Sequence, residues 1–262
     1  MNILIAVPTL NSWTILPKLI SSLKKQTNEN WKLLFIDGNS NKEHENYLEK
    51  ICNDDKRFML IKQKKDKGIF NAMNLAFKIA KINEYLLFWG SDDICIAEDT
   101  IDQLIKSISY LSKKKFSTDL IICKSCYYSL TSSNTKRPDF SKIKNIKQIS
   151  SDRYRFNLFI GYSQAHQATI FGPKIREVIK SYSSSSFELA ADLDYYLRVS
   201  KVKNILITFL PQIIVLVGEG GISSKKNLLR IFEVAKAYYY SFGILFIVPF
   251  ISRYLRRIYK LF

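Results

Sequence analysis

Two adjacent carboxylates, Asp92 and Asp93, follow the apolar run Tyr85–Trp89 and two small residues, Gly90 and Ser91. The apolar run predicts a short buried strand, so both carboxylates should lie at the carboxyl edge of a sheet, where open α/β folds bind their ligands. Carboxylate oxygens beside small residues suit a hard divalent cation that keeps some waters and bridges to phosphates. The alternative is an ordinary polar turn, and the motif alone does not decide between the two.

Apolar runs of strand length alternate with amphipathic stretches along most of the chain. The runs lie at Ile3–Val7, Leu33–Ile36, Phe58–Ile61, Leu86–Trp89, Leu120–Cys123, Ala165–Phe171 and Ile205–Val217. Helices are predicted at Leu16–Leu23, at Met73–Ala80, after Asp99 and at Phe187–Val199. This alternation predicts an α/β fold with a single doubly wound, mostly parallel sheet flanked by helices. The polar stretch Thr131–Arg155 has no clear period, so we expect a surface excursion there.

The chain carries a large excess of positive charge, with 40 Lys and Arg against 23 Asp and Glu and a net charge of +17. Such an excess indicates a polyanionic partner, which would be nucleic acid, a phosphorylated substrate or an anionic membrane. Three enzyme classes are disfavoured because the sequence lacks their motifs. These are dinucleotide-binding oxidoreductases with G-x-G-x-x-G, P-loop NTPases and serine hydrolases with G-x-S-x-G.

The four cysteines have neither the spacing of a disulfide framework nor that of a zinc site. Cys123 and Cys126 form one isolated C-x-x-C inside an apparent strand, and the chain contains only two histidines. We therefore expect free thiols, most of them buried.

Several short motifs follow one another in a fixed order over most of the chain. They are Val7-Pro-Thr-Leu-Asn11, Phe35-Ile-Asp-Gly-Asn-Ser40, Asp66-Lys-Gly-Ile-Phe-Asn-Ala-Met-Asn74, Ser91-Asp-Asp93, His166-Gln-Ala-Thr169, Ala191-Asp-Leu-Asp194 and Gly220-Gly-Ile-Ser223. In this order they resemble the family 2 glycosyltransferases of the GT-A fold, in particular a bacterial subgroup that builds surface polysaccharides. The chain departs from that subgroup at Asn71, where Asp is usual, and at Ser40, which is followed by Asn-Lys-Glu instead of Thr-Asp-Gly.

The resemblance implies a metal-dependent, inverting glycosyltransferase of the hexosyl or N-acetylhexosaminyl class. Its donor would be a nucleotide-diphosphate sugar, with UDP as the first choice of nucleotide, and its cofactor Mg²⁺ or Mn²⁺. Its acceptor would be a saccharide or a lipid-linked saccharide in the synthesis of a cell-surface polysaccharide, such as lipopolysaccharide or exopolysaccharide. The alternative is an inactive GT-A module that binds a membrane or nucleic acid through its basic surface, whereas the transferase is expected to bind no nucleic acid.

The same resemblance assigns roles to individual residues. Asp93 is the preferred direct metal ligand, and Asp92 would face the ribose or reach the metal through water. Asp37 would hold the base or ribose, although a turn-forming Asp before Gly38 remains the alternative. The positions that would contact the donor or its phosphates are Pro8, Thr9, Asp37, Lys67, Gly68, Asn71, Asn74, Ser91, Asp92, His166 and Gln167. For Lys67 and Asn74, a solvated side chain on a polar face is the competing interpretation.

Asp192 is the candidate catalytic base, because an inverting transferase needs a carboxylate to take the proton of the acceptor hydroxyl. It opens a predicted helix, and Asp194, two residues on, would point away from it. Either carboxylate could instead be an acidic residue that the helix dipole favours near the N-terminus of a helix. The resemblance favours Asp192.

The last 38 residues differ in composition from the rest of the chain. We predict a GT-A domain at 1–224, with a nucleotide-sugar-binding half at 1–115 and an acceptor half at 116–224, and a basic, apolar helical tail at 225–262. The apolar run Tyr238–Ile251 contains Pro249 and is shorter than the roughly 20 residues that span a bilayer. A basic stripe follows it at Arg253, Arg256, Arg257 and Lys260.

This pattern predicts an amphipathic helix that lies in a membrane interface. The alternative is a terminal helix that packs on the domain or in a homodimer. The first strand begins directly after Met1, so no signal peptide is predicted. We therefore expect a cytoplasmic protein that is peripheral on the inner face of the cytoplasmic membrane.

Overall fold

A computed structural model of the chain describes residues 1–128, 146–218 and 226–258. Within them, one nine-stranded sheet forms the centre of the molecule. Its strands are β1 (Asn2–Thr9), β2 (Trp31–Asp37), β3 (Phe58–Lys62), β4 (Glu84–Phe88), β5 (Ile94–Cys95), β6 (Leu120–Tyr128), β7 (Lys147–Ser150), β8 (Thr169–Phe171) and β9 (Leu206–Gly218).

The strand order is β3-β2-β1-β4-β8-β6-β9-β5, and β7 pairs with β9. The long pairings of β1 with β2, β1 with β4, β2 with β3, and β6 with β9 are parallel. The antiparallel pairings involve the short strands β5, β7 and β8. The predicted α/β fold with a mostly parallel sheet is confirmed.

Helices cover both faces of the sheet. They are α1 (Leu16–Lys24), α2 (Lys42–Asp54), α3 (Ile69–Ile79), α4 (Thr100–Lys113), α5 (Ser151–Phe159), α6 (Pro173–Val178), α7 (Ala191–Val199), α8 (Asn227–Phe242) and α9 (Ile247–Ile258). Alternate residues of β1 point to opposite faces, so that Ile3 and Ile5 belong to one core with α1, α2 and α4, whereas Leu4 and Ala6 belong to the core on the other face. A strand buried on both faces reads as a continuous apolar run, which is why the sequence revealed it.

Three predicted elements differ from the observed ones. The predicted strand at Ala165–Phe171 begins with a 3₁₀ turn at His166–Ala168, and only β8 is extended. The helix predicted from Phe187 begins at Ala191. Part of the expected surface excursion at Thr131–Arg155 is ordered as β7 and α5, because Tyr154 and Leu158 bury their side chains in the core. Residues 129–145 lie outside the described part.

The C-terminal segment is helical from Asn227 to Ile258, as predicted, but its apolar stretch is longer than the run Tyr238–Ile251 indicated. By length and composition, Asn227–Arg256 could cross a membrane, and it is the one such stretch among the described residues. However, α8 buries Glu233, Val234, Ala237 and Tyr238 against the domain. A 3₁₀ turn that begins at Gly243, with φ of 58°, separates α8 from α9. The alternative of packing on the domain is thus observed for α8.

Candidate active site

The carboxyl ends of the three central parallel strands meet at one edge of the sheet. Thr9 at the end of β1 is paired with Asp37 at the end of β2, and β4 runs parallel to β1 on its other side. The loop after β4 contacts the loop after β1 through a hydrogen bond of 2.9 Å between the hydroxyls of Ser12 and Ser91. The sheet therefore brings Pro8, Thr9, Asp37 and the Ser91-Asp-Asp93 motif to one edge, as predicted.

Asp37 is buried, and its carboxylate is engaged by donors of the chain itself. The backbone N–H groups of Asn39 and Ser40 donate to Oδ2 over 3.2 and 3.0 Å, and the Ser40 hydroxyl donates to Oδ1 over 2.5 Å. His44 Nε2 lies 3.4 Å from Oδ1. Burial lowers the pKa of His44, while the charge of Asp37 acts in the opposite direction. Asp37 thus organises its own loop, and its contact with a nucleotide stays a prediction.

The two adjacent carboxylates differ in environment. Asp93 is 1% exposed, and its Oδ2 accepts a hydrogen bond of 2.6 Å from the N–H of Gly90. Burial raises the pKa of Asp93 to about 7, the charge of Asp92 adds to this rise, and the N–H groups of Gly90 and Gly218 oppose it. Asp92 is partly exposed.

Two glycines make room for the Asp92 side chain. A Cβ at Gly90 would lie 2.8 Å from Asp92 Oδ1, and a Cβ at Gly218, at the end of β9, would collide with Oδ2. No cluster of three or more His, Cys, Asp or Glu that could hold a metal occurs among the described residues. The partly exposed carboxylate of Asp92 nevertheless fits Mg²⁺ or Mn²⁺ bound to a diphosphate, because such ions take few protein ligands and complete their shell with phosphate oxygens and water.

The His166–Ala168 turn connects this edge to the start of α7. Trp89, next to the carboxylates, donates its indole N–H to the carbonyl oxygen of Gln167 over 3.0 Å. Burial lowers the pKa of His166, and the negative charge of Asp192 opposes this shift, which shows that the two side chains are electrostatic neighbours. An imidazole with a lowered pKa is neutral at neutral pH.

The two acidic residues of α7 are placed differently. Asp192 is partly exposed and lines a small cleft, and its Oδ1 accepts a hydrogen bond of 2.8 Å from the N–H of Leu193. Asp194 is buried and accepts from the Ser183 hydroxyl at 2.7 Å and from Arg198 Nε at 2.9 Å. Asp194 therefore stabilises the fold locally, whereas Asp192 is accessible to a ligand.

A second, larger cleft of about 520 Å³ lies beside the N-terminus of α3. It is lined by Asp66, Lys67, Gly68, Ile69, Phe70, Asn71, Ser184, Ser185, Ser186, Phe187, Glu188 and Glu233. Asn71 accepts a hydrogen bond from the Ser184 hydroxyl over 3.0 Å. Asn74 accepts from the N–H of Tyr182 at 2.7 Å and donates to its carbonyl oxygen at 3.0 Å. Both asparagines thus hold the serine loop against α3, and their contact with a donor stays a prediction.

Sequence reasoning missed two side chains of this region. Asp66 Oδ1 accepts from the N–H of Gly68 at 2.8 Å and would be 3.4 Å from a Cβ at Gly38, so it links the second cleft to the loop after β2. Glu233 accepts hydrogen bonds from three consecutive N–H groups, those of Glu188, Leu189 and Ala190, just before α7. An acidic residue in a long apolar helix was the one available signal for Glu233.

Comparison with known proteins gives consistent matches. The family model described as Glycosyl transferase family 2 matches residues 4–165. A PGL/p-HBAD biosynthesis glycosyltransferase of Mycobacterium tuberculosis is 31% identical over 97 residues, which are 37% of this chain and 38% of that protein. A UDP-Glc:alpha-D-GlcNAc-diphosphoundecaprenol beta-1,3-glucosyltransferase of Escherichia coli is 34% identical over 114 residues, 43% of this chain and 42% of that protein. The matches thus span less than half of either relative.

Solved structures show the same fold at low identity. S. aureus TarS in complex with UDP-GlcNAc has a TM-score of 0.65 at 17% identity, and the match covers 92% of this chain and 68% of that one. A mannosyltransferase from Pyrobaculum calidifontis in complex with GDP-Man and Mn²⁺ has a TM-score of 0.64 at 12% identity, with 97% and 69% covered. The fold is therefore GT-A-like over nearly the whole chain.

Proposed function

The chain belongs to glycosyl transferase family 2, and we propose that it transfers a hexosyl or N-acetylhexosaminyl group from a nucleotide-diphosphate sugar. The first candidate for this donor is a UDP-sugar. The acceptor is a saccharide or a lipid-linked acceptor in cell-surface polysaccharide synthesis. One observation carries this proposal. The His166-Gln167 turn connects two partly exposed carboxylates: Gln167 accepts a hydrogen bond from Trp89, three residues before Asp92, and His166 is an electrostatic neighbour of Asp192. An inverting transferase needs such an arrangement, with one carboxylate for the leaving diphosphate and another for the acceptor hydroxyl.

On the donor side, Asp92 is the better candidate for direct contact with Mg²⁺ or Mn²⁺, which reverses the preference for Asp93 derived from the sequence. Asp92 is partly exposed, whereas Asp93 is buried. When bound, the metal would neutralise charge on the departing nucleotide diphosphate. Asp93 holds the turn that presents Asp92. Lys67 and Gly68 line the larger cleft together with Asp66 and are the candidates for contact with the nucleotide.

On the acceptor side, Asp192 takes the proton from the attacking hydroxyl. It is the accessible carboxylate at the start of α7, and Asp194 is occupied by Ser183 and Arg198. His166 is neutral at neutral pH because burial lowers its pKa. A neutral imidazole can hydrogen-bond a hydroxyl or a phosphate oxygen without adding charge beside the base.

The C-terminal segment supports a location at the inner face of the cytoplasmic membrane, with a lipid-linked acceptor. Large apolar side chains of this segment are exposed, among them Ile244 at 82%, Leu245 at 57% and Ile251 at 50%. An exposed apolar stripe on a chain of net charge +17 favours binding to an anionic lipid surface. The Escherichia coli relative is named for an acceptor linked to diphosphoundecaprenol, which agrees with such a substrate.

Binding of nucleotide sugars by the purified chain, with and without Mn²⁺, tests the proposed function. A ligand bound only by the folded state raises the apparent Tm. We expect one UDP-sugar to raise the Tm in the presence of Mn²⁺ and a smaller rise in EDTA. Asp92→Asn should abolish the metal-dependent part of that rise.

Asp99→Asn is the matched control, because Asp99 is also partly exposed and lies in the same segment but not at the sheet edge. It should respond to donor and metal as the wild type does. If no nucleotide sugar is bound, or if Asp92→Asn responds to metal as Asp99→Asn does, the proposal is wrong. The inactive membrane-binding module would then be the better interpretation.

A further inference from the structure

The His166–Ala168 turn is tied to α7 by a buried chain of hydrogen bonds. The hydroxyl of Tyr196, on α7, donates to Thr169 Oγ1 over 3.1 Å. The Thr169 hydroxyl in turn donates to the carbonyl oxygen of Ala165 over 3.0 Å. Ala165 and Thr169 are the residues on either side of the turn. The chain of hydrogen bonds therefore connects α7 to both ends of the turn that carries His166.

Tyr196 lies on the same side of α7 as the candidate base. It follows Asp192 by four residues, and residues at this spacing are neighbours on the surface of a helix. Both side chains line the same small cleft. Burial raises the pKa of Tyr196, and the negative charge of Asp192 adds to this rise. Tyr196 is only 3% exposed, so we expect it to act on the base and not on a ligand.

A further side chain joins this chain of hydrogen bonds to α5. Gln164 donates its amide N–H to the hydroxyl of Tyr154, on α5, over 2.5 Å. Its hydrogen bond with Tyr196 opposes the rise in the pKa of that hydroxyl. Tyr154 is fully buried and belongs to the core. Gln164 thus connects two tyrosines on different helices, and buried networks of this kind favour a single arrangement of the elements that they join.

The other side of the turn is fixed to the donor edge of the sheet. The indole N–H of Trp89 donates to the carbonyl oxygen of Gln167, and Trp89 lies three residues before Asp92. The turn therefore has two anchors, Trp89 towards the donor carboxylate and Tyr196 towards the base. Transfer depends on how the reacting groups are placed relative to each other. These two anchors determine that placement for Asp92 and Asp192.

We propose that Tyr196 is a positioning residue for the base. Its hydroxyl holds α7 against the His166 turn and so fixes the position of Asp192 relative to the donor site, and Gln164 supports Tyr196 in this role. This inference rests on the proposed function. It adds to that function two side chains that touch neither the donor nor the acceptor.

Tyr196→Phe removes the hydroxyl and keeps the ring, so it tests this role directly. The assay measures release of UDP by the full chain in Mn²⁺, with water as the acceptor. Its donor is the UDP-sugar that gives the largest rise in Tm. Misplacing a group by about 1 Å can cost roughly 10²-fold in rate. We expect kcat to fall by roughly 10- to 100-fold, and KM for the donor to change by less than about twofold, because the donor site is untouched.

Tyr195→Phe is the matched control. Tyr195 is the preceding residue on the same helix, is fully buried, and donates its hydroxyl to the carbonyl oxygen of Ile179 over 3.0 Å. Ile179 does not belong to the turn. Each variant loses one buried hydrogen bond, so the two Tm values should fall by similar amounts. Only Tyr196→Phe should lower kcat, whereas Tyr195→Phe should keep it within about twofold of the wild type.

Gln164→Met tests the support that Gln164 gives to Tyr196. It should also lower kcat with KM for the donor preserved. The double variant of Gln164→Met and Tyr196→Phe should lose less than the product of the two single losses, because side chains in one hydrogen-bond network do not act independently.

Equal kcat values for Tyr196→Phe and Tyr195→Phe would overturn the proposal, because Tyr196 would then only stabilise the fold. It would also fail if Tyr196→Phe raised KM and left kcat unchanged, or if the losses of the double variant multiplied. The wild type separates the levels of inference. A chain that binds no nucleotide sugar refutes the proposed function. A chain that binds the donor but releases UDP no faster than Asp192→Asn refutes the assignment of the base, and the positioning role with it.

Discussion

Glu233 on α8 holds the start of α7, which carries the candidate base, and Glu233→Gln tests this link. The carboxylate is 5% exposed and accepts hydrogen bonds from the N–H groups of Glu188 at 2.7 Å, Leu189 at 2.7 Å and Ala190 at 2.9 Å. Glutamine has nearly the same shape but only one acceptor oxygen. If that oxygen keeps the Leu189 and Ala190 bonds, the N–H of Glu188 faces an amide NH₂ and loses its partner.

The magnitude follows from these contacts. An unsatisfied buried N–H costs about 1–3 kcal/mol, and two bonds that lose their charge weaken by roughly 1 kcal/mol each. Removing a buried charge returns part of this loss, because the carboxylate no longer has to be desolvated. We expect a net loss of about 3 kcal/mol, which in a domain of this size lowers the Tm by roughly 6–12 °C.

Glu188→Gln is the matched control. Glu188 is exposed and pairs with Lys226 at the surface, so the same substitution should cost less than about 1 kcal/mol. Urea unfolding gives both values. The predicted order also applies to activity, since Glu233→Gln should lower kcat through Asp192. Equal stabilities of the two variants would refute the idea that the C-terminal helix holds the start of α7.

Three further predictions concern the base, the buried carboxylate and the exposed apolar face. Asp192→Asn should lower kcat by roughly 10²–10⁴ with donor binding preserved, whereas Asp194→Asn should mainly lower the Tm; the opposite pattern would exchange the two roles. The folded state holds the proton of Asp93 up to about pH 7, against 3.8 for the ordinary carboxyl, so this group makes the metal-free protein less stable as pH rises from about 4 to 7. Asp93→Asn should remove that trend. In urea unfolding with EDTA, the free energy of unfolding of the variant should therefore rise by about 2–3 kcal/mol relative to that of the wild type between pH 5 and 8. The same pH dependence in both proteins would contradict this prediction. Replacing exposed Ile244 and Ile251 by Ser should reduce sedimentation with anionic vesicles and leave the Tm unchanged, and full retention on the vesicles would exclude this face as the contact.

Much of the fold could be predicted from the sequence because its signals are local. Strands such as β1 and β2 are buried on both faces and read as continuous apolar runs, and helices such as α1 show their buried face at helical spacing. The carboxylates at the end of β4 could be placed at the sheet edge for the same reason, because parallel strands bring their carboxyl ends together.

The roles within each carboxylate pair depended on tertiary structure. Asp92 and Asp93 are equivalent in the sequence, but Gly218 treats them differently in the fold. This glycine, more than a hundred residues further on, leaves space for the Asp92 side chain and donates its N–H to Asp93. Likewise, Asp194 is distinguished from Asp192 by Ser183 and Arg198. Such partners come from other elements, so no local pattern contains them.

By itself the sequence determined the family, the α/β architecture and the edge of the sheet at which the chemistry is expected, since periodicity and motif order are properties of the chain alone. Only the tertiary structure decided that α8 caps the start of α7 through Glu233 and that α9 carries Arg253 to the cleft of Asp192. From the sequence, the tail showed charge and apolar character, which suit a membrane helix and a packed helix equally well. Whether such a helix packs on the domain depends on close contacts such as the one between Gly161 and α9. These contacts form only when segments about ninety residues apart pack against each other.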